Sequence, residues 1–400
     1  MLCTQETTLL REGRDGLMRT SAGGLPPLES RNGLRFACGD ERCNEHAALL
    51  AMHALWLREH NRLARELARA DSDARVATEE LSGEERDERL FQSARRHLIA
   101  TLQHITYTEF LPMLIGSEHL PGLVGSLPAY SGFDPSVNPG VSNEFATAAF
   151  RIGHTLVQET LLRLEPDGSE SPFGHLNLNA SFFLSPQRLL REGGVEPLLR
   201  GLLEQSALKV DLKVVDALRN QLFVSANPSA LDDTVPGMFD LAARNIQRGR
   251  DHGLAKLNQF RAAYGLARAA AFADITSDPE VQERLAEAYP AGPDSVDAWV
   301  GGLAEDAAPG AAIGETFRAV IRDQFTRTRD GDAHFHLAHG QPPLNAQVLA
   351  SREGGLGRLS ILDVLRVSAG IDADAPLSEA GLRRRSGGAA FYRIGPGTRS

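Results

Sequence analysis

Apolar residues recur at helical spacing along most of the chain. In the stretch that begins at Glu45 they stand three, four or seven positions apart, a spacing that places them on one buried face of a helix. The members of this face are Leu49, Met52, Trp56, Leu63 and Leu67. A second long helix is predicted from about Glu88 to Leu114, and Pro112 should bend or end it because proline has no N–H to donate.

A third stretch with helical spacing runs from Asn143 to Leu164. Gly153 interrupts its apolar face just before His154, and this glycine would let another group come close. Further helices are predicted over residues 196–206, 211–223, 236–246, 253–264, 279–288 and 312–326. Because patterns that alternate with the period of a strand are scarce, we expect a mainly α fold.

Some stretches show no sustained apolar period. Residues 1–40 are rich in Gly, Arg and Ser and are predicted to be irregular, and residues 120–140 hold four prolines among glycines, which is typical of a long loop. The Gly/Arg/Ser-rich end of the chain is predicted to be a frayed tail. We therefore divide the chain into an irregular segment that continues into the main domain (1–40), a helical core (41–370) and a tail (371–400).

Composition argues against two classes of function. Charged residues make up 24% of the chain, and no apolar run approaches the roughly 20 residues of a membrane span. The net charge of -10 argues against nucleic acid as a partner, because binding phosphates requires a basic surface. The first residues, up to Glu6, show neither the basic start nor the apolar stretch of a signal peptide.

The three cysteines, Cys3, Cys38 and Cys43, fall in the first tenth of the chain. Their spacing matches no zinc signature, and the rest of the chain has no internal cross-link. Because their number is odd, at least one thiol stays free or pairs outside the chain.

Several histidines are spaced in a way that suggests a metal site. They form two rows with a spacing of seven and one group behind a polar turn: His46, His53 and His60; His97 and His104; His334, His336 and His339. Seven helical residues rise about 10.5 Å, whereas each ligand of an ion must reach to about 2 Å, so neighbours in a row do not share an ion. For the third group, solvated loop histidines are favoured over a metal site.

His154 differs because it stands on an apolar helical face with Arg151 one turn before it. From the residues alone, a core histidine bound to a backbone carbonyl is the favoured interpretation. The alternative, a ligand to iron, requires an acceptor for the second ring nitrogen from elsewhere in the chain.

Four sequence blocks resemble, in the same order, those of the animal haem peroxidase family, nearest to its peroxidasin-like members. They span residues 39–64, 145–156, 245–253 and 329–332, and the similarity extends from about residue 14 to about residue 370. The resemblance implies a mainly α, haem peroxidase-like fold around a buried haem b.

Carried over by position, the resemblance implies that His154 is the proximal iron ligand and that Asn245 accepts its ring N–H. Such a hydrogen bond makes the imidazole more electron-donating. Arg151 and Arg248 match arginines that pair with the haem propionates, a task that suits the two-pronged guanidinium. Ordinary surface ion pairs are the alternative for both arginines.

Arg42 matches the distal catalytic arginine of the family, whose charge would polarise bound peroxide and stabilise the leaving oxygen. Glu45 matches a glutamate that can form an ester with a haem methyl group. At a spacing of three, the two side chains could share one helical face. The alternative for Glu45 is a carboxylate at the start of a helix, facing its dipole.

The sequence departs from the family pattern upstream of Arg42. The family has a distal histidine flanked by aspartates there, followed by a calcium-binding loop, and neither motif is present. The first histidine is His46, and the Asp251–His252 pair belongs to a downstream block. We expect a chain truncated at its amino end, without the distal-histidine segment and without the calcium site expected in the family.

This departure bears on the reaction, because cleavage of peroxide needs a base that moves its proton. The favoured function is a haem peroxidase that uses hydrogen peroxide to oxidise a halide, a phenol or another small electron donor. The alternatives are a haem-binding pseudoenzyme or adhesion module without efficient turnover, and a cofactor-free helical scaffold. The resemblance also implies a secreted or extracellular location.

Overall fold

Helices make up most of the described part of the molecule. The computed structural model describes residues 17–29, 35–73, 82–116, 123–124, 127–222, 239–340, 344, 348 and 356–371. Its α-helices are α1 (Ala47–Asp73), α2 (Gly83–Ile105), α3 (Leu111–Ile115), α4 (Asn143–Thr147), α5 (Gly153–Leu156), α6 (Leu178–Ser181), α7 (Pro186–Arg191), α8 (Glu196–Glu204), α9 (Asp216–Arg219), α10 (Leu241–Asp251), α11 (Leu257–Ala263), α12 (Pro279–Ala288), α13 (Ala298–Ala304), α14 (Glu315–Asp330) and α15 (Ile361–Ala369).

Short 3-10 helices and two small antiparallel ribbons complete these elements. The 3-10 helices are Ala22–Gly24, Glu41–Asn44, Ala149–Ile152, Phe272–Asp274, Pro293–Ser295 and Leu356–Arg358. Strand β1 (Leu123–Val124) pairs with β2 (Leu127–Pro128), and β3 (Thr160–Leu161) pairs with β4 (Leu176–Asn177). The mainly α expectation is confirmed.

The helix predicted from Glu45 is α1, which packs against α2, α8 and α15. Leu55 and Leu63 are fully buried, and Leu50 is nearly so. The predicted buried face is correct only in part, because Met52 and Trp56 are half-buried. Because α1 has neighbours on several sides, its buried face is broader than the single row of residues predicted from their spacing.

The second long helix changes its pitch before Pro112. After α2 comes a π-helical turn, Thr106–Phe110, in which the Leu111 N–H donates to the Thr106 carbonyl, five residues back. A π-turn inserts one extra residue, which accommodates the missing N–H and the bulk of the proline ring. The chain stays helical through Pro112 to Ile115, so this proline does not end the helix.

The helix predicted over Asn143–Leu164 is wrong in its extent. It breaks at Ala148 (φ -129°, ψ -73°), continues as a 3-10 turn and as the short α5, and becomes extended at Val157. The following residues pair as β3 with β4. The partner strand lies some 15 residues further along the chain, so helical spacing within 143–164 could not reveal it.

The remaining predicted helices agree with the structure to different degrees. The ranges 196–206, 253–264, 279–288 and 312–326 correspond to α8, α11, α12 and α14. In contrast, α10 begins at Leu241, because Asp240 caps it by accepting the Ala243 N–H at 3.0 Å, and residues 236–238 lie outside the described residues. Of residues 211–222, only Asp216–Arg219 form an α-helix, and residue 223 lies outside the described residues.

Two large groups of buried apolar residues form most of the core. The first core cluster joins α1, α8 and α15 and includes Leu50, Leu55, Leu178, Leu198 and Leu365. The second core cluster surrounds α14 and includes Leu111, Ile152, Phe260, Phe317 and Ile321. Leu156 packs against the second cluster and Val157 against the first, so the chain passes between the two clusters just after α5.

The described part of the first forty residues is mostly irregular, and part of it is buried in the core. Leu28 and Phe36 form an isolated antiparallel bridge, and Leu25 and Phe36 are buried in the first core cluster. A disulfide joins Cys38 to Cys43. Cys3 and residues 372–400 of the predicted 371–400 tail lie outside the described residues, whereas Ile371 is buried in the first core cluster.

Candidate haem site

Arg42 and Glu45 lie at the 3-10 turn that precedes α1. Asp40 caps this turn, and its carboxylate accepts the Arg42 N–H at 2.9 Å. The Arg42 side chain, 76% exposed, returns to the same carboxylate, with Nε 2.9 Å from Oδ1. Hydrogen bonds from the Arg42 guanidinium lower the pKa of Asp40 to about 2. The Arg42 guanidinium is therefore held next to a carboxylate that stays ionised.

Glu45 closes the same turn. Its N–H donates to the Arg42 carbonyl at 2.9 Å, and its own carbonyl accepts the Phe183 N–H at 3.1 Å. Burial raises the pKa of the Glu45 carboxyl, and the charge of Arg42 opposes this shift. The structure thus places a cation and a half-buried carboxyl side by side at the amino end of α1.

His154 lies on α5, and its Nδ1 atom is 2.7 Å from the side-chain amide of Asn245. Asn245 comes from the middle of α10 and has no exposed surface. Among the described residues, His154 Nε2 has no hydrogen-bond partner. A Cβ added at Gly153 would meet no atom within 4 Å, so the space beside α5 is open.

Two arginines stand next to this pair. Arg151 Nη1 donates to Asn245 Oδ1 at 2.8 Å, and Arg151 Nε donates to the Ala146 carbonyl at 3.1 Å. Burial lowers the pKa of Arg151, and the like charge of the exposed Arg248 adds to the effect. Because these two cations repel each other beside an open space, a bound anion would lower their electrostatic energy.

The same surroundings keep His154 neutral. Burial, and then the charge of Arg151, lower the pKa of His154 to about 4, and the contact with Asn245 opposes them. A neutral imidazole is the form that binds metals. At pH 7 the ring therefore needs no deprotonation before it can act as a ligand.

Local spacing explains why these side chains meet. Arg151 and His154 are three residues apart across the junction of the 3-10 turn and α5, and Asn245 and Arg248 are three residues apart on α10. Residues three apart on a helix face the same side. When α10 packs near α4 and α5, each element thus contributes a polar residue and an arginine to one place.

The structure brings the sequence-predicted residues together in two groups. Arg42 with Glu45 is one, and Arg151, His154, Asn245 and Arg248 are the other. Among the described residues no hydrogen bond or ion pair joins the two groups. They are connected through the backbone between them, where the Leu178 N–H donates to the Glu159 carbonyl and the Phe183 N–H donates to the Glu45 carbonyl.

Two features were not anticipated from the sequence. The pairing of Asp40 with Arg42 had a local signal, because an aspartate just before a helical turn is a common cap. The bond between Arg151 and Asn245 had none, since it joins residues 94 positions apart. It also changes the role expected for Asn245, which here turns its nitrogen, and not its oxygen, towards His154.

In the described part of the chain, no three His, Cys, Asp or Glu side chains are arranged so that they could hold a metal ion. His336 packs edge-on against His104, and its ring lies 3.2 Å from Gln103. No helix among the described residues combines the length and the apolar character that crossing a bilayer requires.

Comparison with known proteins identifies relatives of this chain. Peroxidasin of Drosophila melanogaster is 40% identical over 309 residues, which cover 75% of this chain and 18% of that protein. Peroxinectin A of Dictyostelium discoideum is 41% identical over 301 residues, which cover 75% of this chain and 50% of that protein. The chain thus spans half or less of the length of these two relatives.

A solved structure shares the fold. Peroxidase A from Dictyostelium discoideum superposes with a TM-score of 0.71 at 35% identity, over 88% of this chain and 67% of that one. The family model described as animal haem peroxidase matches residues 4–351. The chain belongs to the animal haem peroxidase family.

Proposed function

We propose that this chain holds haem b through His154 and takes part in the oxidation of a small electron donor by hydrogen peroxide. The observation that carries the proposal is the state of the His154 ring: Nδ1 is bound to the fully buried Asn245, while Nε2 has no partner among the described residues. A neutral imidazole beside an open space fits an iron ligand once its hydrogen is on Nδ1.

The arginines fit the other chemical feature of haem, its two carboxylates. Arg151 and Arg248 present like charges to each other, an arrangement that a propionate pair would relieve. A guanidinium also binds a carboxylate through two parallel hydrogen bonds. We therefore assign propionate binding to Arg151 and Arg248, and orientation of the His154 ring to Asn245.

We also assign roles to Arg42 and Glu45. When bound, haem supplies an iron centre that exchanges electrons with peroxide and the donor. Arg42 stays protonated and would polarise a bound peroxide, while Asp40 holds its guanidinium at the turn. Glu45, whose pKa is raised by burial, is the candidate for a covalent ester with the haem.

The partners that follow are hydrogen peroxide and a small donor such as a halide or a phenol. We propose a secreted or extracellular location on the strength of the family resemblance. The alternative function is a haem-binding module without efficient turnover. Both functions predict haem binding through His154, and only the peroxidase predicts efficient oxidation of the donor.

The test is an absorption spectrum of the purified chain with added haem, followed by addition of peroxide and a chromogenic donor. We expect a strong haem band in the wild type and in the control His252→Ala, since His252 is an exposed histidine at the end of α10. His154→Ala should lose the band, and a band that persists in this variant would overturn the ligand assignment. Turnover supports the peroxidase, whereas binding without turnover supports the module.

A further inference from the structure

Arg151, Asn245 and His154 form a chain of three side chains. Arg151 Nη1 is 2.8 Å from one amide atom of Asn245, and His154 Nδ1 is 2.7 Å from the other. A bond from Arg151 Nε to the Ala146 carbonyl holds the guanidinium in place. Because Asn245 is fully buried, neither amide atom can turn to water instead.

The chemistry of the donors decides the orientation of the amide. Arginine has only donors, so the Asn245 atom that faces Arg151 must be the oxygen. The NH₂ group then faces His154, and because it can only donate, Nδ1 must accept. A neutral imidazole has one hydrogen, so in this arrangement the hydrogen is on Nε2.

This tautomer is the wrong one for binding a metal through Nε2, because that nitrogen carries the hydrogen. The competent tautomer has its hydrogen on Nδ1 and needs an acceptor there, which Asn245 can provide only if its amide turns by about half a revolution. The turned amide would point its NH₂ group at the guanidinium, donor against donor. The bond from Arg151 therefore has to break first.

We propose that Arg151 sets the tautomer of His154 through Asn245, so that binding of a carboxylate by Arg151 releases Asn245 and frees His154 Nε2 for a metal. The inference rests on the proposed function, because the carboxylate and the metal are those of the porphyrin. A carboxylate carries a negative charge and can accept two parallel hydrogen bonds from a guanidinium, so a propionate would compete with the neutral Asn245 oxygen. Arg151 is thus a positioning residue for the iron ligand.

Arg248 offers a matched control. It carries the same charge close to Arg151 but is exposed, and within the part of the chain that the structure describes no hydrogen bond joins it to Asn245. Replacing Arg248 removes one attraction for an anion without freeing the amide. Only a change at Arg151 should alter the tautomer when no porphyrin is present.

The first experiment is nitrogen-15 NMR of the histidine rings in the haem-free chain, with the His154 signals assigned from His154→Gln. We expect the hydrogen on Nε2 in the wild type and in Arg248→Leu. In Arg151→Leu the tautomer ratio should move towards Nδ1–H by about tenfold, the factor associated with one hydrogen bond. Arg151→Lys, which keeps a donor, should restore the wild-type tautomer. Nδ1–H already in the wild type, or no change in Arg151→Leu, would overturn the proposal.

The second experiment adds metal-free protoporphyrin IX, which carries the carboxylates but no iron, and compares it with its dimethyl ester. Porphyrin fluorescence reports binding. We expect the free acid, but not the ester, to convert His154 to Nδ1–H, and bound acid without conversion would contradict the inference. If Arg151→Leu shifts the tautomer but haem gives no band that depends on His154, the proposed function fails while the role of Arg151 stands.

Discussion

Arg261 shows, at the scale of single residues, how one buried cation can join three helices. Its side chain is 10% exposed, and Nη1 lies 2.5 Å from Glu305 Oε1 and 3.0 Å from Thr316 Oγ1. Nη2 lies 2.9 Å from Glu315 Oε2. Arg261 belongs to α11, Glu305 ends α13, and Thr316 and Glu315 begin α14. Burial raises the pKa of Glu305 even with these partners present, so its charge depends on Arg261.

We predict that Arg261→Met lowers the free energy of unfolding by about 3–5 kcal/mol, because it leaves a buried carboxylate without its cation. The matched control is Arg284→Met on α12, whose ion pair with Glu280 is mostly exposed. Such pairs contribute about 0–1 kcal/mol. Urea denaturation of both variants measures the difference, and equal losses would show that Glu305 does not depend on Arg261.

Residue identities in the candidate site could largely be predicted from the sequence. The spacing of Arg151 and His154, and of Asn245 and Arg248, is local, and the family blocks named all four positions. The hydrogen bond from Arg151 to Asn245 could not be predicted, because it depends on how α10 packs near α5. Asp40 could have been identified, since its place before the Glu41–Asn44 turn is a capping position.

At the scale of elements, the π-turn brings Glu109 to the start of α15. Glu109 Oε1 accepts the Ile361 N–H at 3.1 Å, and Ser360 and Asp363 complete the cap through reciprocal bonds. Burial raises the pKa of Glu109 to about 7, although the bond from Ile361 opposes the shift, and Asp363 adds to it. The carboxyl therefore titrates near neutral pH in the folded protein.

The sign of the resulting pH dependence follows from linkage. In the unfolded chain the pKa of a glutamate is about 4.3, so between that value and about 7 the folded state binds the proton more tightly. Stability contributed by protonated Glu109 is present at low pH and is lost as the pH rises to about 7.

We predict that Glu109→Gln removes this loss, because the glutamine stays neutral and still accepts the Ile361 N–H. As the pH rises from 5 to 8, the urea concentration at the unfolding midpoint should increase for the variant relative to the wild type. The control Glu280→Gln changes an exposed carboxylate on α12 and should follow the wild type. A parallel pH dependence of Glu109→Gln and the wild type would contradict the expectation.

Long elements were predictable where their pattern is local, as for α1, α12 and α14. Predictions failed where a distant partner decides the conformation. The stretch after Leu156 has helical spacing, yet it becomes β3 because β4 supplies hydrogen bonds. At Pro112 the cause is local: this proline was expected to bend or end the second helix, but the preceding turn takes up an extra residue and the chain stays helical to Ile115.

At the scale of the whole molecule, the proposed haem residues divide between the two core clusters. Cys43 and Ala47, on either side of Glu45, belong to the first cluster. The second cluster includes Ala149 and Ile152, and the partly buried Ile246 packs on it. These three residues are sequence neighbours of Arg151, His154 and Asn245. A ligand that touches both groups of residues should stabilise both clusters together.

The two tryptophans allow this to be tested, because Trp56 packs on the first cluster and Trp299 lies in the second. We predict that haem at one hundred times its dissociation constant raises the free energy of unfolding by about 2.7 kcal/mol, whichever tryptophan reports the unfolding. Urea unfolding of Trp56→Phe and Trp299→Phe, each with one tryptophan left, measures the two clusters separately. His154→Ala should remove both gains, and a gain confined to one cluster would show that haem rests on that cluster alone.

The sequence by itself determined the mainly α character and the positions of the long helices, and its short motifs led to the proposed residues of the candidate haem site. These features depend on local spacing and on short motifs, so they can be found without knowing which parts of the chain meet. The tertiary structure alone decided the break after Leu156 and the orientation of the Asn245 amide. Each of these depends on hydrogen bonds or packing that a residue's own neighbours do not specify, and for Asn245 the bonds come from residues more than ninety positions away.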